Sequence, residues 1–152
     1  MRRLLTAGYP ATLALRSLNS LCALRNRAGA VTIDLLELEL DTGRATSYKW
    51  GAAPSYLVSA MGVEKIGTAG PPPGLSVTEC REMTARLSLR RGEILVLASD
   101  GIGESEAMRC CTDNIGRSPG ELAAGLIGCG QAAGEDDATV ITVRLDPSPA
   151  GT

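Results

Sequence analysis

One short segment, residues 94–98, limits the folds open to this chain more than any other. Its residues, ILVLA, are all aliphatic. A strand with both faces buried has this composition, whereas a strand with one face in water alternates between apolar and polar residues. The segment therefore predicts a fully buried strand, and Ser99-Asp100-Gly101 follows directly at its end.

Three helices are predicted from apolar spacing and capping residues. Apolar residues at helical spacing predict an amphipathic helix over residues 12–25. Residues 118–121, Ser-Pro-Gly-Glu, match the preferences of the N-cap, N1 and N3 positions, and predict a helix that runs to about residue 133. A further helix is predicted over residues 105–112.

The remaining apolar patterns are typical of strands. Residues 31–40 and 45–50 predict a hairpin, and the alternation changes phase at Leu36, which predicts a kink or bulge in the first strand. A second hairpin is expected over residues 56–60 and 63–66. Two further strands are expected over residues 80–89 and 138–145. This order of elements predicts one α+β domain built on antiparallel sheet.

The composition excludes several classes of function. The 152 residues include no histidine, so Ser-His-Asp and Cys-His triads and mixed Cys/His zinc sites cannot be built from this chain. The formal charge is −2 and the chain has three Tyr, one Trp and no Phe, so no nucleic-acid partner is expected. No apolar stretch has the length of a membrane span, so no membrane contact by the chain itself is expected.

The cysteines indicate a reducing compartment. There are five, an odd number, and none has the spacing of a metal-binding hairpin. They are interpreted as reduced, mostly buried thiols of a cytoplasmic protein. The adjacent pair Cys110-Cys111 is expected to pack in the core rather than carry redox chemistry.

Two acidic positions at strand ends are candidates for chemistry. Asp100 follows the buried strand and precedes a glycine, which permits a sharp turn and close approach of a ligand. The run Glu135-Asp136-Asp137 precedes the last predicted strand. Carboxylate oxygens are the ligands that hard divalent cations prefer. By itself, each position is more typical of an ordinary solvated turn, and the two together, each at a strand end, favour a metal site.

These two positions carry a resemblance to a known family. Residues 95–102, LVLASDGI, resemble the aliphatic strand and Ser-Asp-Gly motif of the PPM-type (type 2C) metal-dependent protein phosphatases. Residues 136–140, DDATV, resemble the closing motif of that family, and residues 51–56, GAAPSY, are similar to a segment of its stage II sporulation protein E branch. The resemblance is collinear from about residue 13 to residue 145.

The resemblance implies a fold, an activity and a set of ligands. The fold would be an antiparallel β-sandwich flanked by helices, and the activity would be hydrolysis of phosphoserine or phosphothreonine in proteins by metal-activated water. By motif position, Asp100 and Asp136 would be metal ligands for Mn²⁺ or Mg²⁺, whereas Gly101, Glu104 and Asp137 would support these ligands or contact an additional metal. Relatives of this branch act on a small anti-anti-sigma-like phosphoprotein and regulate a sigma factor; a dimer is compatible with this branch.

The chain departs from the family in one motif, and this departure limits the activity that is expected of it. In the family, an earlier Asp-Gly motif lies upstream of the helix that corresponds to the first predicted helix here, and its Asp bridges both metals. No residue of this chain replaces that motif, because Asp34 and Asp41 come too late in chain order. The chain is therefore expected to be a partial domain over residues 1–146 that lacks the N-terminal strands, with a disordered tail over 147–152 and no complete catalytic residue set. A non-catalytic remnant or interaction module of the same fold is the alternative, and an unrelated small α+β domain is a third.

Overall fold

A computed structural model describes residues 1–25, 31–68, 70–75, 84–133 and 137–146. Within these ranges the elements, in chain order, are α1 Arg2–Thr6, α2 Ala11–Arg25, β1 Ile33–Leu38, β2 Arg44–Trp50, β3 Ser55–Ser59, β4 Gly62–Ile66, β5 Thr84–Ser88, β6 Ile94–Ala98, α3 Glu104–Asp113, α4 Pro119–Ala133 and β7 Val140–Val143. Among the described residues, no helix is long and apolar enough to cross a membrane.

The strands form two antiparallel sheets. The first has the order β1-β2-β5 and the second has the order β4-β3-β6-β7. All five residues of β6 are buried, as the aliphatic run predicts. The strand lies between β3 and β7, so its backbone groups are paired on both sides and its two faces are covered by different layers.

Three apolar clusters show that the layers are stacked helix, sheet, sheet, helix. The interface between the sheets contains Leu36 and Leu38 of β1 together with Leu95 and Leu97 of β6. Helices α1 and α2 pack on the outer face of the first sheet, and α3 and α4 pack on the outer face of the second. The architecture is thus an α+β, antiparallel β-sandwich flanked by helices, as predicted.

The predicted kink in the first strand is wrong. Strand β1 pairs with β2 in one continuous register, from Ile33 opposite Trp50 to Leu38 opposite Ala45. The apolar pattern changes phase because both faces of β1 are covered: Ile33 and Leu35 pack with the helices, whereas Leu36 packs between the sheets. A regular strand in a four-layer fold therefore produces the pattern that would otherwise indicate a bulge.

Other boundaries differ by a few residues. Helix α1 was not predicted; its five residues are too few for a periodic apolar pattern. Strand β7 is shorter than the predicted range. The start of the predicted strand over 80–89, the acidic residues 135 and 136, and the predicted tail over 147–152 lie outside the described residues.

The start of α4 has the predicted capping arrangement. The Ser118 backbone N–H donates to Glu121 Oε2 at 2.9 Å, and the Glu121 backbone N–H donates to Ser118 Oγ at 3.3 Å. The Ser118 hydroxyl also donates to the same carboxylate at 2.6 Å. These reciprocal bonds satisfy backbone donors that a helix N-terminus otherwise leaves open.

We expect Ser118→Ala to lower the free energy of unfolding by about 1 kcal/mol at neutral pH, the usual effect of removing a serine cap. Hydrogen bonds from the Ser118 hydroxyl, then from its backbone N–H, hold the pKa of Glu121 below its ordinary value of 4.5. A lowered carboxyl pKa contributes stability that is present above the unfolded-state pKa and lost as the pH falls through the folded-state pKa. Urea titrations should therefore show the difference shrinking in acid. Ser105→Ala, at an exposed helix position, should show neither effect.

Candidate metal centre

Asp100 lies at the C-terminal end of β6, where the buried strand meets solvent. Its side chain is exposed, and the preceding Ser99 ties the strand end to the segment that enters β7. The Ser99 backbone N–H donates to the Thr139 carbonyl oxygen at 2.9 Å, and the Thr139 backbone N–H donates to Ser99 Oγ at 2.9 Å. The loop that carries Asp100 is thus fixed to the loop that follows the acidic run.

Gly101 brings these two loops into direct contact. A β-carbon at this position would overlap the backbone carbonyl of Asp137 and would lie 3.2 Å from the Ala138 α-carbon. Gly130, near the end of α4, packs against the same place: its β-carbon would lie 3.1 Å from the Gly101 carbonyl oxygen and 2.9 Å from the Ala138 side chain. The residue after Asp100 must therefore be small for the acidic segments to meet.

The structure places the predicted site residues as follows. Asp100, Gly101 and Asp137 lie at one edge of the second sheet, where β6 ends and the chain returns towards β7. Asp136 lies outside the described residues. Glu104, in the first turn of α3, forms an ion pair with Lys65 of β4 at 2.6 Å.

Two cavities flank Asp100. The first, about 160 Å³, lies between the sheets; we call it the sheet cavity, and its lining includes Asp34, Ala53, Ala98, Asp100 and Thr139. The second, about 150 Å³, lies under α3; we call it the helix cavity, and its lining includes Ala53, Tyr56, Ala98, Asp100 and Glu104. The small side chains at positions 53 and 98 leave the space around the Asp100 carboxylate open.

Tyr56 lies on the wall of the helix cavity. Its hydroxyl donates to the Glu104 backbone carbonyl oxygen at 3.4 Å. Burial, reinforced by the nearby Glu104 carboxylate, raises the pKa of Tyr56 to about 12. The tyrosine is therefore neutral at physiological pH, and it can serve as a hydrogen-bond donor there but not as an anion.

Asp34 is a further acidic residue close to this edge, and it was not among the predicted site residues. In the structure Asp34 lies opposite Lys49 in the β1–β2 register and forms an ion pair with it. The Lys49 side chain is fully buried, and Asp34 Oδ1 is buried and has no hydrogen-bond partner among the described residues. Burial raises the pKa of Asp34 and lowers the pKa of Lys49, in each case against the opposing effect of the ion pair. Because opposed residues of a hairpin share a face, the register of the predicted hairpin was the signal that could have found this pair.

The oxygen donors at this edge suit a hard divalent cation. Asp100 supplies an exposed carboxylate, and the Asp137 backbone packs against the glycine beside it. Within the described ranges, no group of three or more acidic or cysteine side chains could hold a metal. The described residues therefore fit a divalent cation in the chemistry of their donor atoms and in their position at one sheet edge.

Comparison with known proteins agrees with this fold. The family model of stage II sporulation protein E (SpoIIE) matches residues 1–146. The SpoIIE protein of Bacillus subtilis (strain 168) is 27% identical over 165 aligned positions, which cover 96% of this chain and 19% of that protein. The chain thus spans about a fifth of the length of this curated relative.

Solved structures of the same family have the same architecture. A structure of the B. subtilis SpoIIE PP2C phosphatase domain with a fragment of its regulatory domain has a TM-score of 0.78 and 26% identity, covering 95% of this chain and 47% of that one. The Mn-presoaked phosphatase domain of the same protein has a TM-score of 0.68 and 23% identity, covering 98% of this chain and 71% of that one. The alternative of an unrelated α+β domain is therefore wrong. This chain belongs to the stage II sporulation protein E family and has the fold of its PP2C phosphatase domains.

Proposed function

We propose that this chain is part of the catalytic domain of a metal-dependent phosphoprotein phosphatase. One observation carries the proposal: Gly101 packs against the backbone of Asp137, so that the Asp100 loop meets the described end of the acidic run at one edge of the sheet. In this proposal Asp100 and Asp136 hold Mn²⁺ or Mg²⁺. In it, Glu104 and Asp137 would support these ligands or contact an additional metal, and Gly101 permits the close approach of the Asp100 loop to Asp137.

The chain's own residues would position the reacting groups. The cavities on either side of Asp100 leave room for a phosphoryl group next to its carboxylate. The ion pair with Lys65 neutralises Glu104 and so reduces the negative charge that an approaching phosphate would meet. When bound, the cation would supply Lewis acidity towards phosphoryl oxygens and would lower the pKa of water.

Membership of the family supports a proposal for the substrate class. We propose a phosphoserine protein of the anti-anti-sigma-like kind, and with it a role in the regulation of a sigma factor during sporulation. The supporting observation is the match of the SpoIIE family model to residues 1–146. The site is exposed at a sheet edge, which suits a phosphoserine on a protein surface more than a small molecule enclosed in a deep pocket.

A non-catalytic module of the same fold is the second candidate. It is favoured by one observation, that the described residues hold no cluster of three side chains able to bind a metal. Such a module would keep the protein-binding surface and would have no turnover.

Hydrolysis of p-nitrophenyl phosphate in the presence of Mn²⁺ tests the proposal. We expect hydrolysis that depends on Mn²⁺, that falls to background in Asp100→Asn, and that is kept in Asp113→Asn, a matched change of an exposed acid at the end of α3. Equal rates in the two variants would reject the role of Asp100. Absence of Mn²⁺-dependent hydrolysis in the parent chain would favour the non-catalytic module.

A further inference from the structure

Two cysteines lie on the facing sides of α3 and α4. Cys110 is buried in the core between these helices and the second sheet, and Cys129 is partly buried against the same core. Both are free thiols. A β-carbon at Gly125 would lie 3.4 Å from the Cys110 sulfur, so this side of α4 faces Cys110. Cys129 lies one helical turn beyond Gly125 and hence on the same side.

The two thiols are close neighbours in this core. Cys129 packs against the buried cluster that contains Cys110, and the proximity of Cys129 contributes to the raised pKa of the Cys110 thiol. The Asn114 side-chain amide donates to the Cys110 sulfur at 3.6 Å. The small residue at position 125 lets α4 approach α3 closely at this point. The neighbouring Cys111 is fully buried in the same core. The side of α4 that carries Gly125 and Cys129 faces Cys110, so these two cysteines are the candidate pair among the three on these helices.

The two sulfurs differ in access to solvent. Cys129 is partly exposed, whereas Cys110 is 5% exposed. Burial, followed by the nearby Cys129 thiol, raises the pKa of the Cys110 thiol to about 11. Thiolates are the reactive form in disulfide exchange. A reagent from solution therefore meets Cys129 first, and Cys110 is placed to react in a second, intramolecular step.

We propose that Cys110 and Cys129 form a disulfide by exchange with a low-molecular-weight disulfide. In the first step the Cys129 thiolate attacks one sulfur of the reagent, forms a mixed disulfide and releases one molecule of the small thiol. In the second step the Cys110 sulfur, after loss of its proton, attacks the Cys129 sulfur and releases the other. The two protein thiols are oxidised, and one small disulfide is reduced to two thiols.

The position of the pair connects it to the acidic edge. Helix α3 begins three residues after Gly101, and α4 packs its Gly130, next to Cys129, against the Gly101 carbonyl oxygen. A disulfide between the helices would fix the end of α4 relative to α3, and so would hold the two loops on which the candidate metal centre depends. The inference does not rest on the proposed phosphatase activity.

Peptide mapping of the full chain after incubation with oxidised glutathione tests this inference. Cleavage after arginine and lysine leaves Cys110 in the peptide over residues 110–117 and Cys129 in the peptide over residues 118–144. After the remaining thiols are alkylated, we expect these two peptides to be joined, with a mass about 2 Da below the sum of the reduced peptides. We also expect the oxidised chain to unfold at a higher urea concentration than the reduced chain.

The peptide over residues 110–117 contains both Cys110 and Cys111, so variants are needed to identify which of the two sulfurs reacts. We expect the cross-link to persist in Cys111→Ala and to be replaced by a glutathione adduct on Cys129 in Cys110→Ala. If Cys110→Ala does not fold, Cys129→Ser at the partly exposed position serves instead and should lose the cross-link. A cross-link that is lost in Cys111→Ala but kept in Cys110→Ala would overturn the inference. So would full alkylation of both cysteines after oxidation.

Discussion

Asp34→Ala is expected to lower the free energy of unfolding by about 3–5 kcal/mol, because it leaves the Lys49 ammonium buried without its counter-ion. The Lys49 side chain is 0% exposed and the Asp34 side chain is 20% exposed, so the ammonium group lies inside the sandwich, where the loss of its partner is costly. Urea unfolding at neutral pH, followed by circular dichroism, measures the difference. A loss no larger than that of an exposed acid such as Asp113→Ala would contradict the importance of the pair.

The double variant Asp34→Leu/Lys49→Met is the matched control. Burial is the largest cause of both pKa shifts, which lie in the direction that disfavours the charged forms. The ion pair therefore does not recover its full desolvation cost, and an apolar pair of similar volume should be as stable as the parent or more stable by about 1–4 kcal/mol. A double variant as unstable as Asp34→Ala would show that the site requires the charges themselves.

The same pair predicts a dependence on pH. The folded-state pKa of Asp34 is raised above its ordinary value of 3.8, so the folded protein holds this proton more tightly than the unfolded chain does. Stability falls with rising pH wherever the folded state binds more protons. Relative to the double variant, the parent should thus lose stability as the pH rises from below 3.8 through the folded-state pKa. Urea titrations across this acidic range test the sign.

Gly101→Ala is expected to destabilise the fold by about 1–3 kcal/mol, the usual cost of forcing an extra carbon into a packed position. The added carbon would overlap the Asp137 backbone, which cannot rotate away as a side chain can. Gly101 does not adopt the left-handed conformation, so the cost arises from this overlap. The variant should also weaken Mn²⁺ binding, because it separates the Asp100 loop from the acidic segment. Isothermal titration measures that loss.

Gly103→Ala controls for the loss of a glycine from the same loop. Its added carbon would meet only the carboxylate end of Glu106, a flexible side chain that can move aside. Gly103 is also the N-cap of α3, where alanine is less favourable than glycine, so we expect a loss of stability smaller than that of Gly101→Ala. We expect the affinity for Mn²⁺ to equal that of the parent. Equal behaviour of the two variants would show that the contact between Gly101 and Asp137 does not organise the site.

Several features of the protein were predictable because neighbouring residues determine them. The capping residues at Ser118 and Glu121 set the start of α4 by bonds within one turn. The aliphatic run over 94–98 predicts a strand buried on both faces. The acidic positions after β6 and before β7 were recognisable from their motifs, and the structure brings Asp100, Gly101 and Asp137 to one edge. Asp136 remains a prediction, since it lies outside the described residues.

Other features depend on which layers cover each strand, and here the sequence alone was insufficient. The pattern of β1 looks like a bulged strand until helices are seen on one face and a second sheet on the other. The position of Asp34 in chain order argued against a role in the metal site. Asp34 nevertheless lines the same cavity as Asp100, because the two sheets stack. Local periodicity and capping determine helices and strands through contacts between near neighbours. Tertiary packing alone decides which distant residues meet, such as Lys65 with Glu104 and Ser99 with Thr139, because those contacts join elements that no short-range pattern relates.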